Sequence, residues 1–314
     1  RPCAVIGVAI AGADEQISGA MRDVDPSVVA RWIQRALWVV LPLAVGPVVE
    51  AAVDGRSGPV RIAVALLAWT GWGVGLVATL VPRATSLTVL RVLGPGAAAV
   101  AVAAALLAGD DGASATGAVA VVAGALAAAS VFAPAAVDSH VDGSSYGTER
   151  RFSLRCPPVL AALGAGTWLL VAAAVVTGPL LLAARQWAAG AASLAAGAIV
   201  AALGVRSLHQ LARRWIVFVP SGVVIHDPVA RPDSVMAPRP TIVRIAPARA
   251  DSGALDLTVG APGLALEMGL REPLPVSVRE RGGEVTTHEA EVVAFTPLRA
   301  TAVLAEVERR HLDG

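Results

Sequence analysis

The chain has 314 residues, 55% of them apolar and 16% charged, with a formal net charge of +1 and a mean hydropathy of +0.67. A soluble domain carries about 25% charged residues, so the composition points to a membrane protein and argues against a wholly soluble one. The near-zero net charge removes the bulk electrostatic case for nucleic acid as a partner.

Residues 1–35 read as an N-terminal cytoplasmic segment, and the apolar run CAVIGVAIAGA within it (3–13) is too short to span a bilayer. Six apolar runs follow, at 36–53, 60–81, 87–108, 114–137, 158–182 and 187–205. A helix rises 1.5 Å per residue, so about 20 residues cross the hydrocarbon core. Residues 36–205 are therefore predicted to form a six-helix transmembrane domain. The third and fourth runs are the weakest spans, because Ala and Gly contribute less to insertion than Leu or Ile.

Arginine placement orients the bundle. With the N-terminus inside, the cytoplasmic connections hold Arg31, Arg35, Arg83, Arg91, Arg150, Arg151, Arg155, Arg206, Arg213 and Arg214, against Arg56, Arg61 and Arg185 outside. Both termini are then cytoplasmic and the membrane is the inner (cell) membrane. The outer loop GDDG (109–112) offers Asp110 and Asp111, which read as a solvated turn rather than a cation site.

Intramembrane charge, the usual mark of ion-coupled transport, is scarce. Pro42, Pro47, Gly94-Pro95-Gly96, Pro134 and Gly178-Pro179 could break helices as transporters do, but ordinary kinks are the simpler reading. Gly190, Gly197 and Gly204 recur every seven residues on the last run. Small residues let helices approach closely, so packing within the bundle is expected of them.

From Trp215 the texture becomes strand-like. Strands are predicted at 215–220, 222–227, 240–247, 254–259, 263–268, 274–280 and 289–295, from alternation such as Leu255/Leu257/Val259 and Leu264/Leu266/Met268 and from turns such as PSG (220–222), DSG (251–253) and RGG (281–283). A final helix follows, with Thr296 as its N-cap, Pro297 in its first position, and Ala300, Val303, Leu304, Val307 and His311 on one face. Residues 206–314 are expected to be a cytoplasmic β-rich domain with a C-terminal helix.

About seven short strands closed by one helix resemble a pleckstrin-homology-like domain, a β sandwich or barrel whose open end the helix covers. The stretches SYGTERRFSLR (145–155), GPLLLAARQW (178–187) and RRWIVFVPSGVVIHDP (213–228) also resemble conserved multi-pass membrane proteins of actinobacteria carrying such a domain. That resemblance implies an arrangement of helices followed by a cytoplasmic domain, and no chemistry. Residues 213–314 hold 12 Arg against 13 Asp plus Glu, too balanced for a pocket that recognises anionic headgroups.

No catalytic signature stands out. His140, His209, His226, His288 and His311 fall in no ligand spacing, and GxxxxGK[ST] cannot occur without Lys. Cys3 and Cys156 fit neither a metal pattern nor a disulfide on the cytoplasmic side. The expectation is an integral membrane protein with no cofactor and no enzymatic activity, a scaffold or regulatory protein whose partners are the lipid bilayer and a protein at the cytoplasmic face. The alternative is a small-molecule or lipid transporter. Tyr146, Glu149, Arg150, Arg151 and Arg155, with Arg213 and Arg214 of the linker, are the expected cytoplasmic docking surface for the β domain.

Overall fold

The structure, a computed structural model, describes residues 25–109, 114–249, 252–279 and 284–313. The run 3–13, Cys3, the Asp110-Asp111 pair, Asp251 of the DSG turn and the whole RGG turn lie outside those residues.

Helix α1 spans Pro26–Val53. It starts ten residues before the apolar run because Asp25 caps it, accepting from the Ser27 N–H at 2.8 Å, with Pro26 in the first helical position. Then come α2 (Gly58–Leu80), α3 (Ala84–Leu107), α4 (Ala115–Ser130), α5 (Pro134–Asp142), α6 (Pro158–Ala183) and α7 (Trp187–Ala212). Five of these, α1, α2, α3, α6 and α7, are long and apolar enough to cross a membrane. The fourth run is bent rather than straight: α4 and α5 pass the same test together, which gives up to six spans if the pair is one, and α5, opened by Pro134, leaves α4 at 52°. Elsewhere the prolines do not break the chain. Pro42, Pro47, Pro95 and Pro179 all lie inside continuous helices.

Two packing devices hold the bundle. Trp38 of α1 and Trp72 of α2 exchange hydrogen bonds, each indole N–H donating to the other's carbonyl at 2.8 and 2.9 Å. Gly75 makes room for this, since a Cβ there would lie 1.9 Å from the Trp38 ring. The α7 glycines do the same for α6: a Cβ on Gly197 would lie 2.8 Å from the Ala174 carbonyl oxygen, and one on Gly204 would lie 2.4 Å from Val171. The heptad of glycines is thus spent on packing α6 against α7, as its spacing implies. This hairpin packs far more closely on itself than on α2 and α3. Large apolar side chains such as Leu43, Leu66, Leu106 and Leu170 cover the outside of the bundle.

The β region contains two four-stranded sheets. The first runs β1 (Arg150–Ser153), β2 (Trp215–Val219), β3 (Gly222–His226), β4 (Val235–Pro238), all antiparallel. The second takes β5 (Ile242–Pro247), β6 (Leu255–Asp256), β7 (Leu266–Arg279) and β8 (Val285–Phe295) in the order β5-β7-β8-β6. A final helix, α8 (Ala300–Arg309), closes the structure. Phe152, Ile216, Phe218 and Ile225 of the first sheet meet Ile245, Leu266, Met268, Val293 and Phe295 of the second, with Val303 and Val307 of α8 and Leu312 completing the core.

Three expectations change here. The strands expected separately at 263–268 and 274–280 form one 14-residue strand, with a register irregularity between Gly269 and Leu274. Thr296 does not cap α8, which begins only at Ala300, because residues 296–298 run as an extended segment against β1. His311 does not share the buried face: it is exposed in the left-handed region at φ 52, and Leu312 turns inward instead.

Candidate functional site

Strand β1 lies in what was expected to be a cytoplasmic loop between two membrane helices, yet it is the first strand of the two-sheet β region. It pairs with β2 in the register Arg150↔Phe218 to Ser153↔Trp215, and the ladder continues where the Leu154 N–H donates to the Arg214 carbonyl at 3.0 Å. Two neighbouring antiparallel strands are normally joined by a tight turn. In this chain the connection is the α6–α7 hairpin.

The other edge of β1 faces α5. That helix carries Asp138 and Asp142 four residues apart, about 6 Å along its axis. The outward amides of Arg151 and Ser153 are two residues apart, about 6.6 Å along the strand. The repeats match. Asp142 Oδ1 accepts the Arg151 N–H at 2.8 Å, and Asp138 Oδ1 accepts the Ser153 N–H at 2.9 Å. The next outward amide, Arg155, donates to the Thr296 carbonyl at 2.8 Å, and the Leu298 N–H donates back to the Ser153 carbonyl at 2.7 Å. An edge strand that would otherwise template aggregation is closed along its length.

Charge fixes the seam further. Arg214 grips Asp227 through two hydrogen bonds, Nε to Oδ1 at 2.9 Å and Nη2 to Oδ2 at 2.7 Å, with both side chains 2% exposed. Its third nitrogen donates to the Arg155 carbonyl at 3.1 Å, tying β2 to the chain entering α6. Burial pushes the Asp138 carboxyl up to about 7, against the pull of the Ser153 N–H and of the Arg299 guanidinium 3.8 Å away. Burial also raises the Cys156 thiol despite nearby Arg214 and Arg91, so it rests as a thiol rather than an activated thiolate. Beneath the seam, Leu87, Val137, Val141 and Ala212 form a small apolar cluster that Trp215 and Leu298 cover.

Six of the seven residues expected to form the docking surface surround the β1–β2 pair. Glu149 and Arg151 pair at 2.8 Å, and the Arg151 guanidinium lies 5.7 Å from the Trp215 ring centre. Arg150 reaches Asp142 at 3.6 Å. Arg155 donates to the Leu298 carbonyl at 3.3 Å, Arg213 is the half-buried C-cap of α7, and Arg214 holds Asp227. Tyr146 stands apart, 90% exposed, on a turn where its N–H donates to Glu149. Sequence reasoning missed Asp138 and read Asp142 and Asp227, beside His140 and His226, as turn or surface residues, whereas all three form the acidic half of the seam. It also placed His140 in a loop, whereas the residue is fully buried in α5 with Nδ1 3.0 Å from the Ala136 carbonyl. Gln34, buried in α1, likewise went unnoticed.

The arrangement is one of paired charges and backbone donors. Each of these carboxylates is engaged by a backbone N–H or an arginine, and among the described residues no group of three or more His, Cys, Asp or Glu could hold a metal ion. Fold and seam together define a multi-helix chain of membrane-spanning proportions bearing a β domain, with that domain's first strand supplied from between the helices. Compared with known proteins, the chain matches no family model, no curated protein and no solved structure.

Proposed function

We propose that this chain is a non-enzymatic scaffold or regulatory protein of the inner membrane, presenting a pleckstrin-homology-like domain on the cytoplasmic side. The observation that carries the reading is the route of the chain: β1 and β2 are neighbours in one sheet, yet the α6–α7 hairpin lies between them. A domain built this way is held at a fixed orientation to the hairpin, and any shift of the hairpin against α2 and α3 passes directly to the sheet. Two four-stranded sheets closed by a C-terminal helix support the pleckstrin-like assignment. The excess of arginine at the ends of the helices nearest the domain supports the cytoplasmic side. The exposed turn bearing Tyr146 is the part of the docking surface free to meet a protein partner.

The test is affinity purification of the gently solubilised full chain, with co-purifying proteins and lipids identified by mass spectrometry. A stoichiometric protein partner that is lost in Tyr146→Ala supports the scaffold. A specifically enriched small molecule with no protein partner contradicts it and favours transport.

A further inference from the structure

We propose that a buried water binds where α1, α2 and α5 meet, bridging the Gln34 amide, the His140 imidazole and the Ala78 carbonyl. Helix α5 is polar on two sides. Asp138 and Asp142 face β1, while His140, between them in sequence, turns into the bundle with 0% exposure. Gln34 of α1 is 1% exposed. A buried polar atom left unpaired is costly, and nearly all find a partner in the protein or in ordered water. Yet among the described residues neither amide atom of Gln34 makes a hydrogen bond, nor does His140 Nε2. The Ala78 carbonyl is in the same position for a different reason. It lies in the last turn of α2, and its helical donor would be residue 82, a proline with no N–H.

These groups converge. Gln34 shares a face of α1 with Arg31, three residues before it, and Trp38, four residues after it. The Arg31 charge acts on the His140 ring, Trp38 packs with Ala78, and the ring lies toward the Ala78 carbonyl. Helices α1 and α5 pack directly on each other. The tautomer of the ring decides what can join them. The Ala136 carbonyl only accepts, so His140 Nδ1, 3.0 Å from it, carries the ring's hydrogen. Nε2 is then an acceptor facing a second acceptor, and a donor must stand between them. A second proton on the ring would serve, but the charged side chains that act on it, Arg31 and Arg91, are both cations. A water serves without added charge. It donates one hydrogen to Nε2 and the other to the oxygen of Ala78 or of the Gln34 amide, and accepts from the Gln34 amide nitrogen, within the two to four partners an internal water takes. Because α5 also seals the edge of β1, this water fixes to the bundle the helix on which the first strand of the β domain rests.

The experiment reads the ring in the unaltered protein first. Magic-angle-spinning nuclear magnetic resonance of the full chain in lipid vesicles, with nitrogen-15 in its histidines and His140 assigned by its loss in His140→Phe, is expected to show a hydrogen on Nδ1 alone and magnetisation passing from water to the ring. Gln34→Leu is expected to weaken that water signal without moving the hydrogen from Nδ1. Thermal melts in detergent supply the second reading. Gln34→Leu and His140→Phe each strand the polar atoms of the other and should each lower the melting temperature, whereas the double variant removes both sets and should lose less than the sum of the two. A hydrogen on Nε2, a ring carrying two hydrogens, or a ring with no water signal overturns the proposal, as does a double variant whose loss equals the sum. The first three outcomes are read in the unaltered chain, so they stand even where a variant fails to fold.

Discussion

Residues 206–313 alone are expected not to form a stable β domain. That stretch has every strand but β1, and β1 with the residue that follows it brings Phe152 and Leu154, which are 6% and 8% exposed in the core. Full burial of such side chains contributes about 1.5–3 kcal/mol each, so their loss removes roughly 3–6 kcal/mol. The edge-to-face contact of Phe152 with Phe218, centroids 5.9 Å apart, adds about 0.5–1.5 kcal/mol, and each lost ladder bond adds about 1 kcal/mol. The total is of the same order as the ~5–15 kcal/mol net stability of a whole small domain. Restoring β1 in its natural place reverses the loss. Residues 133–156, which carry α5 and β1, are joined to 213–313 by a short Gly/Ser turn in place of α6–α7. The ends are already adjacent, since Arg214 donates to the Arg155 carbonyl at 3.1 Å. Circular dichroism melting and amide NMR dispersion are the assay. The 206–313 fragment is expected to show no cooperative transition, and the joined chain to show one. A cooperative transition of equal midpoint in both would refute the reasoning.

Other perturbations probe the seam and the bundle. Arg214→Met leaves Asp227 buried and unpaired, so it should destabilise the domain by about 3–5 kcal/mol, with Asp227→Leu in the same chain recovering much of the loss; thermal melts of the single and double variants read this directly. The Asp138 carboxyl titrates near 3.8 when unfolded and about 7 in the fold. Its protonation therefore stabilises the seam fully below about pH 4, and that contribution drains away as pH climbs through 7. The seam should open more readily at pH 8 than at pH 5, by protease sensitivity of the 143–149 turn, and Asp138→Asn, which keeps an oxygen acceptor for Ser153, should flatten the dependence. Gly197→Leu places a side chain where even a Cβ would lie 2.8 Å from the Ala174 carbonyl oxygen, so it should separate α6 from α7 and lower the melting temperature in detergent, whereas Gly96→Leu, with nothing within 4 Å, should not.

What the sequence made legible and what it hid divide along contact range. The long spans and the α7 glycine heptad are local patterns and are found where their periods place them, whereas the strand alternations hold only in part: Leu257, Leu266 and Met268 are buried, but so is Glu267, Leu264 and Val259 are exposed, and the strand expected at 254–259 is reduced to Leu255–Asp256. Strand β1 is four residues, RRFS, too short for a periodic signal, and its partner Trp215 is far along the chain. Strand β4 alternates buried Val235 and Ala237 with exposed Met236 and Pro238, but four residues ending in proline do not announce a strand. The arginines drew attention because charge is conspicuous beside apolar runs. Their partners did not, because Asp138 and Asp142 differ from solvated acids only in meeting a strand edge whose repeat matches one helical turn. The same non-locality moved the start of α8: Thr296-Pro297 is a good helix opening by local rules, and its pairing with Leu154 overrides them.

Residues 150–155 run as a sheet strand sealed on both edges rather than as a loop between two long apolar helices. Hydrogen exchange of the full chain in lipid nanodiscs tests it most directly, because a topogenic loop would exchange its amides within seconds. The amides of Arg151 to Arg155 are expected to exchange as slowly as those of β2 and β3, and Asp138→Ala with Asp142→Ala to speed Arg151 and Ser153 selectively. Fast exchange across 150–155 in the unaltered chain, with β2 and β3 still protected, would contradict it.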